Sequence, residues 1–279
     1  AQQYPDNSQL IELMSWIYMQ KRDFANAMRQ LKALDIRTGN DYTRVYSLAR
    51  TAFNEKQYDV AVSGFDYILE KGRANPYFYE AARFRLQALV AKSVVNTIIS
   101  PSEQEVIDKD YTDYINTYSE TGRAVYLSYD YAEFLMQYRD NLPKAIEILQ
   151  TIVDNGTYSP PVIAEVKIRL ADYLLIEGKR WDASLLYSQV DKDFKEGPLG
   201  QEARYKNALL SYYVGDFEWS QAQFDALKTA TSRLISNDAI DRSVFIMDNM
   251  GMDSTDLAMK KYAATELLIY QNKLSEALV

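Results

Sequence analysis

Residues 215–227, GDFEWSQAQFDAL, repeat a phrase already written at 56–69, KQYDVAVSGFDYIL, and at 21–34, KRDFANAMRQLKAL. Each copy has a polar turn, an aromatic, a small residue three positions on and a bulky apolar residue four after that. Aligning the turn position gives Phe24, Tyr58, Leu142, Trp181, Phe217 and Leu274, followed by Ala27, Ala61, Ala145, Ser184, Ser220 and Ala277. Recurrence every 34 to 39 residues, with longer gaps where one unit is irregular or enlarged, is the mark of an array of helical hairpins. In the first unit Leu10, Ile11, Met14, Ile17 and Tyr18 recur at helical spacing, and Ala27, Leu31 and Leu34 do so in the partner helix. A pair so short cannot bury its apolar face alone, so neighbouring pairs must stack to form a continuous core.

Composition agrees. Among 279 residues Gly (10) and Pro (7) are scarce and fall mostly between apolar-periodic segments, which points to helix throughout. The net charge of -8 repels phosphate backbones, and no Lys/Arg run offsets it, so nucleic acid is not an expected partner. Cysteine and histidine are both absent. That removes thiol nucleophiles, thiolate metal sites, disulfides and the usual neutral-pH acid and base, and no cofactor is expected. The most apolar segment, about 81–99, carries Arg83, Arg85, Gln87 and Lys92, so no membrane span is expected. The sequence opens on AQQYPD, which fits a mature end left after an export signal as well as a simple boundary. Lack of cysteine suits an oxidising compartment, so an exported, periplasmic protein is preferred over a soluble cytoplasmic one.

These residues resemble the tetratricopeptide repeat family. Its signature sets small and large residues at fixed places in both helices; Ser15, Tyr18, Ala27 and Leu31 match it in one unit, Ala49, Ala52, Ala61 and Phe65 in the next, and Ala208, Ser220 and Phe224 in the sixth. Glu133 and Asp172 depart from it at the first small position, as do Leu34, Ile68 and Leu227 at the last. The segment 215–243, with 185–204 before it, is similar to a group of exported bacterial tetratricopeptide proteins of unassigned activity, which implies envelope location. The fold the resemblance implies is all-α, a right-handed α-α superhelix over residues 1–279 as one solenoid of about six and a half hairpins.

First helices are expected at about 8–20, 42–54, 77–97, 123–138, 161–177, 199–213 and 255–271. Second helices are expected at about 24–36, 58–71, 102–118, 142–154, 181–195 and 217–234. The unit at 77–118 is irregular, and a further helix at about 238–249 reads as an insertion. Asp216, Asn141, Ser102, Asn237 and Ser254 are placed as caps. The pattern stops a few residues into a second helix, LSEALV, so the natural chain is expected to continue.

The resemblance implies that first-helix positions line a concave wall. Those positions hold Glu12, Trp16 and Met19; Tyr46, Arg50 and Phe53; Asp130, Phe134 and Gln137; Arg169 and Tyr173; and Glu202, Tyr205 and Tyr212. Aromatics with scattered charges suit an extended peptide or a partner helix, although several of the rings could equally be packing between units. Some family members grip a carboxyl terminus with Lys, Arg and Asn, but Arg50 and Arg169 are the only basic residues at these positions and come from non-adjacent units. The expected function is therefore a non-catalytic scaffold or adaptor, not an enzyme, that binds a protein or peptide segment and favours basic or neutral partners. The alternative is an envelope carbohydrate-binding protein that stacks sugars on the same tyrosines, 23 in all. A helical-toroid glycoside hydrolase would need two facing carboxylates; Asp108/Asp110, Asp191/Asp193 and Asp253/Asp256 read instead as solvated helix ends. The triplet Asn155-Gly156-Thr157 fits a glycosylation signal and, equally, a turn.

Overall fold

The repeated phrase marks a turn that the chain makes again and again. In the computed structural model, which describes residues 8–39, 41–94, 99–118, 124–251 and 255–278, a residue in the left-handed region directly precedes the N-cap of a second helix at Arg22, Lys56, Asp140, Gly178, Gly215 and Asn272. The next N–H then reaches back to a carbonyl five residues earlier, as in Asp23 to Tyr18 (2.9 Å), Gln57 to Ala52 (2.8 Å), Lys179 to Leu174 (2.8 Å) and Asp216 to Ser211 (3.0 Å). One helix is thereby capped while the next begins. Asp23 and Asn141 add side-chain caps to Asn26 and Lys144. Glycine fills only two of these six positions, so sequence inspection for Gly alone would miss most of the turns.

Among the described residues there are fifteen helices and no strand. The chain divides into two compact units, Ala1–Asp140 and Asn141–Val279. The first contains α1 (Ser8–Gln20), α2 (Phe24–Thr38), α3 (Thr43–Asn54), α4 (Tyr58–Leu69), α5 (Phe78–Val94), α6 (Pro101–Tyr118) and α7 (Val125–Tyr138). The second contains α8 (Leu142–Asn155), α9 (Pro160–Glu177), α10 (Arg180–Asp193), α11 (Pro198–Tyr213), α12 (Phe217–Leu227), α13 (Arg233–Asn249), α14 (Leu257–Tyr270) and α15 (Leu274–Ala277). Within each unit helices pack chiefly on their sequence neighbours, the arrangement of an α-solenoid. The boundary falls inside the pair expected at 123–138 and 142–154, so those two helices belong to different units.

The small residues of the repeat lie where helices cross. Ala27, Ala61, Ala145 and Ser220 are fully buried, and the bulky positions Leu31, Phe65, Leu149 and Phe224 fill the adjoining core. At Gly64 even a methyl group is too much, since a Cβ there would lie 2.6 Å from Met28 Cε and 2.7 Å from Ala49 Cβ. Two features of the alignment need correction. In α10 the register is one residue earlier than expected: Ala183 and Tyr187 are buried, which turns Trp181 outward at 76 % exposure. The helix expected over 217–234 stops at Leu227, because the Thr/Ser-rich stretch that follows bonds elsewhere. Thr231 donates through N and Oγ1 to Gln201 Oε1 (3.2 and 2.9 Å), and Ser232 caps α13, which starts well before the expected insertion.

The expected caps fare unevenly. Ser102 and Asn237 lie inside helices, while Ser254 is outside the described residues. For α6 the cap is instead Ser100, whose N–H and Oγ both donate to Glu103 (3.0 and 2.7 Å), with the Glu103 N–H returned to Ser100 Oγ (3.3 Å). No described helix is long and apolar enough to cross a membrane.

Candidate functional site: a cleft across the first helices

Helices α3, α5 and α7 stand side by side in the first unit, each separated by a second helix in sequence but adjacent in space. The 3.6-residue period brings Tyr46, Arg50 and Phe53 of α3 toward α5, and Tyr79, Glu80, Arg83 and Phe84 of α5 along one wall. Between them opens a cleft of about 780 Å³ whose remaining sides are the connection Arg73–Pro76 and Tyr126 and Leu127 of α7. Across α5 and α7 lies a second cleft of about 570 Å³, with Val90, Ala91 and Val94 of α5 and Tyr129, Phe134 and Tyr138 of α7 among its lining.

A polar partition stands between the clefts. Arg83 donates to both oxygens of Asp130 (2.6 and 3.0 Å), and Gln87 Nε2 donates to Asp130 Oδ2 (2.8 Å). Burial pulls the Arg83 pKa down, but the bidentate carboxylate outweighs it, and the net shift is upward. Arg83 also lies 4.8 Å from the Tyr126 ring centre.

The other wall is organised around Tyr46. Its ring stacks on Tyr77 (4.5 Å, 16°), its hydroxyl donates to Glu80, and it accepts from Arg50 Nη1 (3.0 Å). Burial, with the Glu80 carboxylate next, raises the hydroxyl pKa. The Arg50 guanidinium carbon lies over Phe84, 3.6 Å from the ring centre, and that of Arg73 lies 4.5 Å from the ring centre of Tyr118.

The structure distributes the sequence-expected residues unequally. Arg50 lines the larger cleft and Tyr46 braces it; Phe53 is half-buried against Tyr58 and Phe84. On α1, Trp16 is 55 % exposed, Met19 packs into the core and Glu12 pairs with Arg44 (3.0 Å). Phe134, Tyr173 and Tyr212 are corrections: all three are buried, so they are packing residues rather than an open wall, although Phe134 closes the floor of the smaller cleft. Arg169 sits beside buried Asp172 (3.4 Å), and Tyr205 is half-buried against Phe224.

The burial in the second unit has a specific cause. Helix α13 packs on α12 and α11 as α11 does on α10 and α9, so α9, α11 and α13 occupy equivalent places. Helix α14, expected to be the next first helix in line, instead packs chiefly on α11, with individual side chains reaching α13 and, from Gln271 just past its end, α9. Gln271 Nε2 at its end donates to Leu175 O (2.8 Å), Tyr270 meets Tyr213, Tyr262 meets Phe245, and Glu266 takes a forked ion pair from Arg242 (3.1 Å). Beneath it, Asp172 is 4 % exposed and accepts from Tyr187 (2.5 Å) and Lys206 (2.8 Å), tying α9, α10 and α11 together.

Sequence reasoning missed Arg73, Asn75, Tyr79, Arg83 and Tyr126. Two lie in a connection, and α5 belongs to the irregular unit, to which the repeat assigns no register. Among the acidic pairs, Asp108 accepts from Tyr131 (2.9 Å), Asp110 from Arg85 (2.7 Å) and Asp191 from Arg204 (2.8 Å). Asp253 is outside the described residues, among which no cluster of three potential metal ligands occurs. Asn155–Thr157 forms a turn, with Gly156 left-handed and Thr157 Oγ1 donating to Asn155 Oδ1 (2.8 Å).

Fold and site together define an all-α protein of stacked helical hairpins with an aromatic and arginine-lined cleft on the first-helix face of one unit. No protein-family model matches the sequence, and no curated protein matches it.

Proposed function

We propose that the protein is a non-catalytic interaction module that holds a segment of another polypeptide on the α3, α5 and α7 face of its first unit. The observation that carries this reading is the contrast between equivalent faces: in the second unit the chain's own helix α14 fills the first-helix face, whereas in the first the same kind of face is left as two adjoining clefts. A face built to accept a helix in one unit supports acceptance of a partner segment in the other. Rings that are braced by stacking and hydrogen bonds lose little entropy on binding, which favours affinity from a modest contact area.

The test is selection of peptides from a random library on the immobilised protein, followed by hydrogen exchange with a selected peptide bound. Protection is expected in α3, in 73–76 and in the first turns of α5 and α7, and it should weaken on Tyr126→Ser. Protection confined to α9–α14, or peptides retained equally by Tyr126→Ser and Phe84→Ala, would remove the assignment. The carbohydrate reading keeps one point in its favour, the 38 % exposure of Tyr126 at the cleft rim; a glycan array that gives binding abolished by Tyr126→Ser would select it.

A further inference from the structure

We propose that the larger cleft recognises acidic side chains, so that the segment held on this face carries Asp or Glu where it crosses α3 and α5. This rests on the interaction reading above and reverses the preference for basic partners that the net charge of -8 suggests. The reason is local. Several of the fifteen arginines on the chain are answered by carboxylates, among them Arg44 by Glu12, Arg85 by Asp66 and Asp110, Arg204 by Asp191, and Arg242 by Glu266. Arg50 and Arg73 meet no carboxylate among the described residues. Their guanidinium carbons lie 3.6 and 4.5 Å from the Phe84 and Tyr118 ring centres, and a guanidinium stacked on a ring keeps its in-plane N–H groups available for a carboxylate fork.

Three arginines against one glutamate line this cleft, and Asp130 answers only Arg83. Glu80 is already engaged by the Tyr46 hydroxyl. A third donor stands in the same wall: Asn75 is 4 % exposed, its Oδ1 accepts from the Tyr77 N–H (2.9 Å), and its Nδ2 has no hydrogen-bond partner. Arg50 Nε is buried without a partner as well. Unpaired donors in a partly desolvated cleft are costly, and an incoming carboxylate offsets that cost. A polyphosphate fits less well, because it needs a run of cations along its backbone and the sequence carries no Lys/Arg run.

The test uses the whole chain and peptides of about ten residues carrying an uncharged fluorophore at the N-terminus, read by anisotropy. One alternates Glu with Leu and has an amidated end; two others replace Glu by Gln or Lys; a fourth is the Gln peptide with a free terminal carboxylate. The Glu peptide should bind about tenfold or more tightly than the Gln peptide, and raising salt from about 0.1 M to about 0.5 M should narrow the gap. Arg50→Gln and Arg73→Gln should each cost about fivefold or more, Arg73→Lys less than Arg73→Gln, and Arg180→Gln, which lies outside the cleft lining, nothing. Arg73 is an exposed connection residue, so its variants report on binding even if Arg50→Gln disturbs folding.

Equal binding of the Glu, Gln and Lys peptides, with protection at α3 and α5, would overturn the acidic preference and leave the interaction reading standing. Preference for the free-carboxylate Gln peptide over the Glu peptide would replace side-chain recognition by recognition of a chain end. Tighter binding of a single-stranded oligonucleotide than of the Glu peptide would overturn the proposal in favour of phosphate. Failure of all four peptides would sink both the proposal and the reading beneath it.

Discussion

The two units use the same hairpin grammar and finish it differently. In the first, the side chains of α3, α5 and α7 are spaced so that an ion pair, Arg83–Asp130, closes the middle of the face and leaves a cleft on either side. In the second, where α9, α11 and α13 correspond, α14 packs chiefly on α11, and the rings that would line a groove become core. The lesson is that a first-helix position does not by itself make a binding residue. Arg50 and Tyr212 occupy similar places in their repeats, yet one borders open space and the other is fully buried.

Four experiments press on that contrast. The largest effect is expected at Asp172, where replacement by Ala strips Tyr187 and Lys206 of their shared acceptor beneath α14. Loss of about 3–5 kcal/mol is expected from leaving buried partners uncompensated, with hydrogen-exchange protection falling across α9–α11. Unchanged protection there would mean the charged cluster is not what supports the filled face.

Alkaline pH should reach the filled face through its tyrosines. Burial pushes the Tyr213 hydroxyl up to about 12, and those of Tyr212 on α11 and Tyr270 at the end of α14 are raised as well. A folded pKa above the unfolded value of about 10 stabilises the neutral form, so this contribution is complete below about pH 10 and is lost as pH climbs toward about 12. For Tyr213 it is worth about 2–3 kcal/mol. Tyr213→Phe, which cannot ionise, should move the alkaline unfolding midpoint upward; a midpoint that stays put would show that Tyr213 ionises without opening the fold.

In the first unit the corresponding probe is Gly64→Ala. Its methyl would collide with Ala49 and Met28, and a cost of about 1–3 kcal/mol is expected in urea unfolding, with α2, α3 and α4 losing protection and α14 keeping it. A neutral or stabilising result would show that those helices can separate more readily than their close crossing suggests.

The smallest effect is expected from Glu266→Gln. It leaves the shape of α14 intact but weakens its forked pair with Arg242, and a change of about 1 kcal/mol or less is expected because both groups retain some solvent contact. Faster amide exchange confined to 257–270 is the expected reading. Exchange accelerated through α9–α13 as well would mean that α14 is an inseparable part of that core.

Much of the fold was legible in particular residues. The recurrent aromatic and small pair located the start of α2, α4, α8, α12 and α15 to the residue and that of α10 to within one, because a helix start is decided by chemistry a few positions apart. Ser184 has the spacing from Trp181 expected of the buried small residue, yet Lys179 as N-cap sets the helix one residue earlier and Ala183 takes the place. The site was less legible. Arg50 could be picked out from its position on a first helix, whereas Arg73 and Asn75 belong to a connection whose path no periodicity describes.

By itself, then, the amino-acid sequence determined the all-helical character, the hairpin turns and the helix order, since these depend on capping, periodicity and small-residue placement within short stretches of chain. Which first-helix face is filled and which is left as a cleft was decided only in three dimensions. Gln271 finds the carbonyl of Leu175 across 96 residues, and Arg50, Asn75 and Tyr126 meet from three separate segments. Such contacts depend on how packed helices are brought together, and local pattern carries no record of that distance.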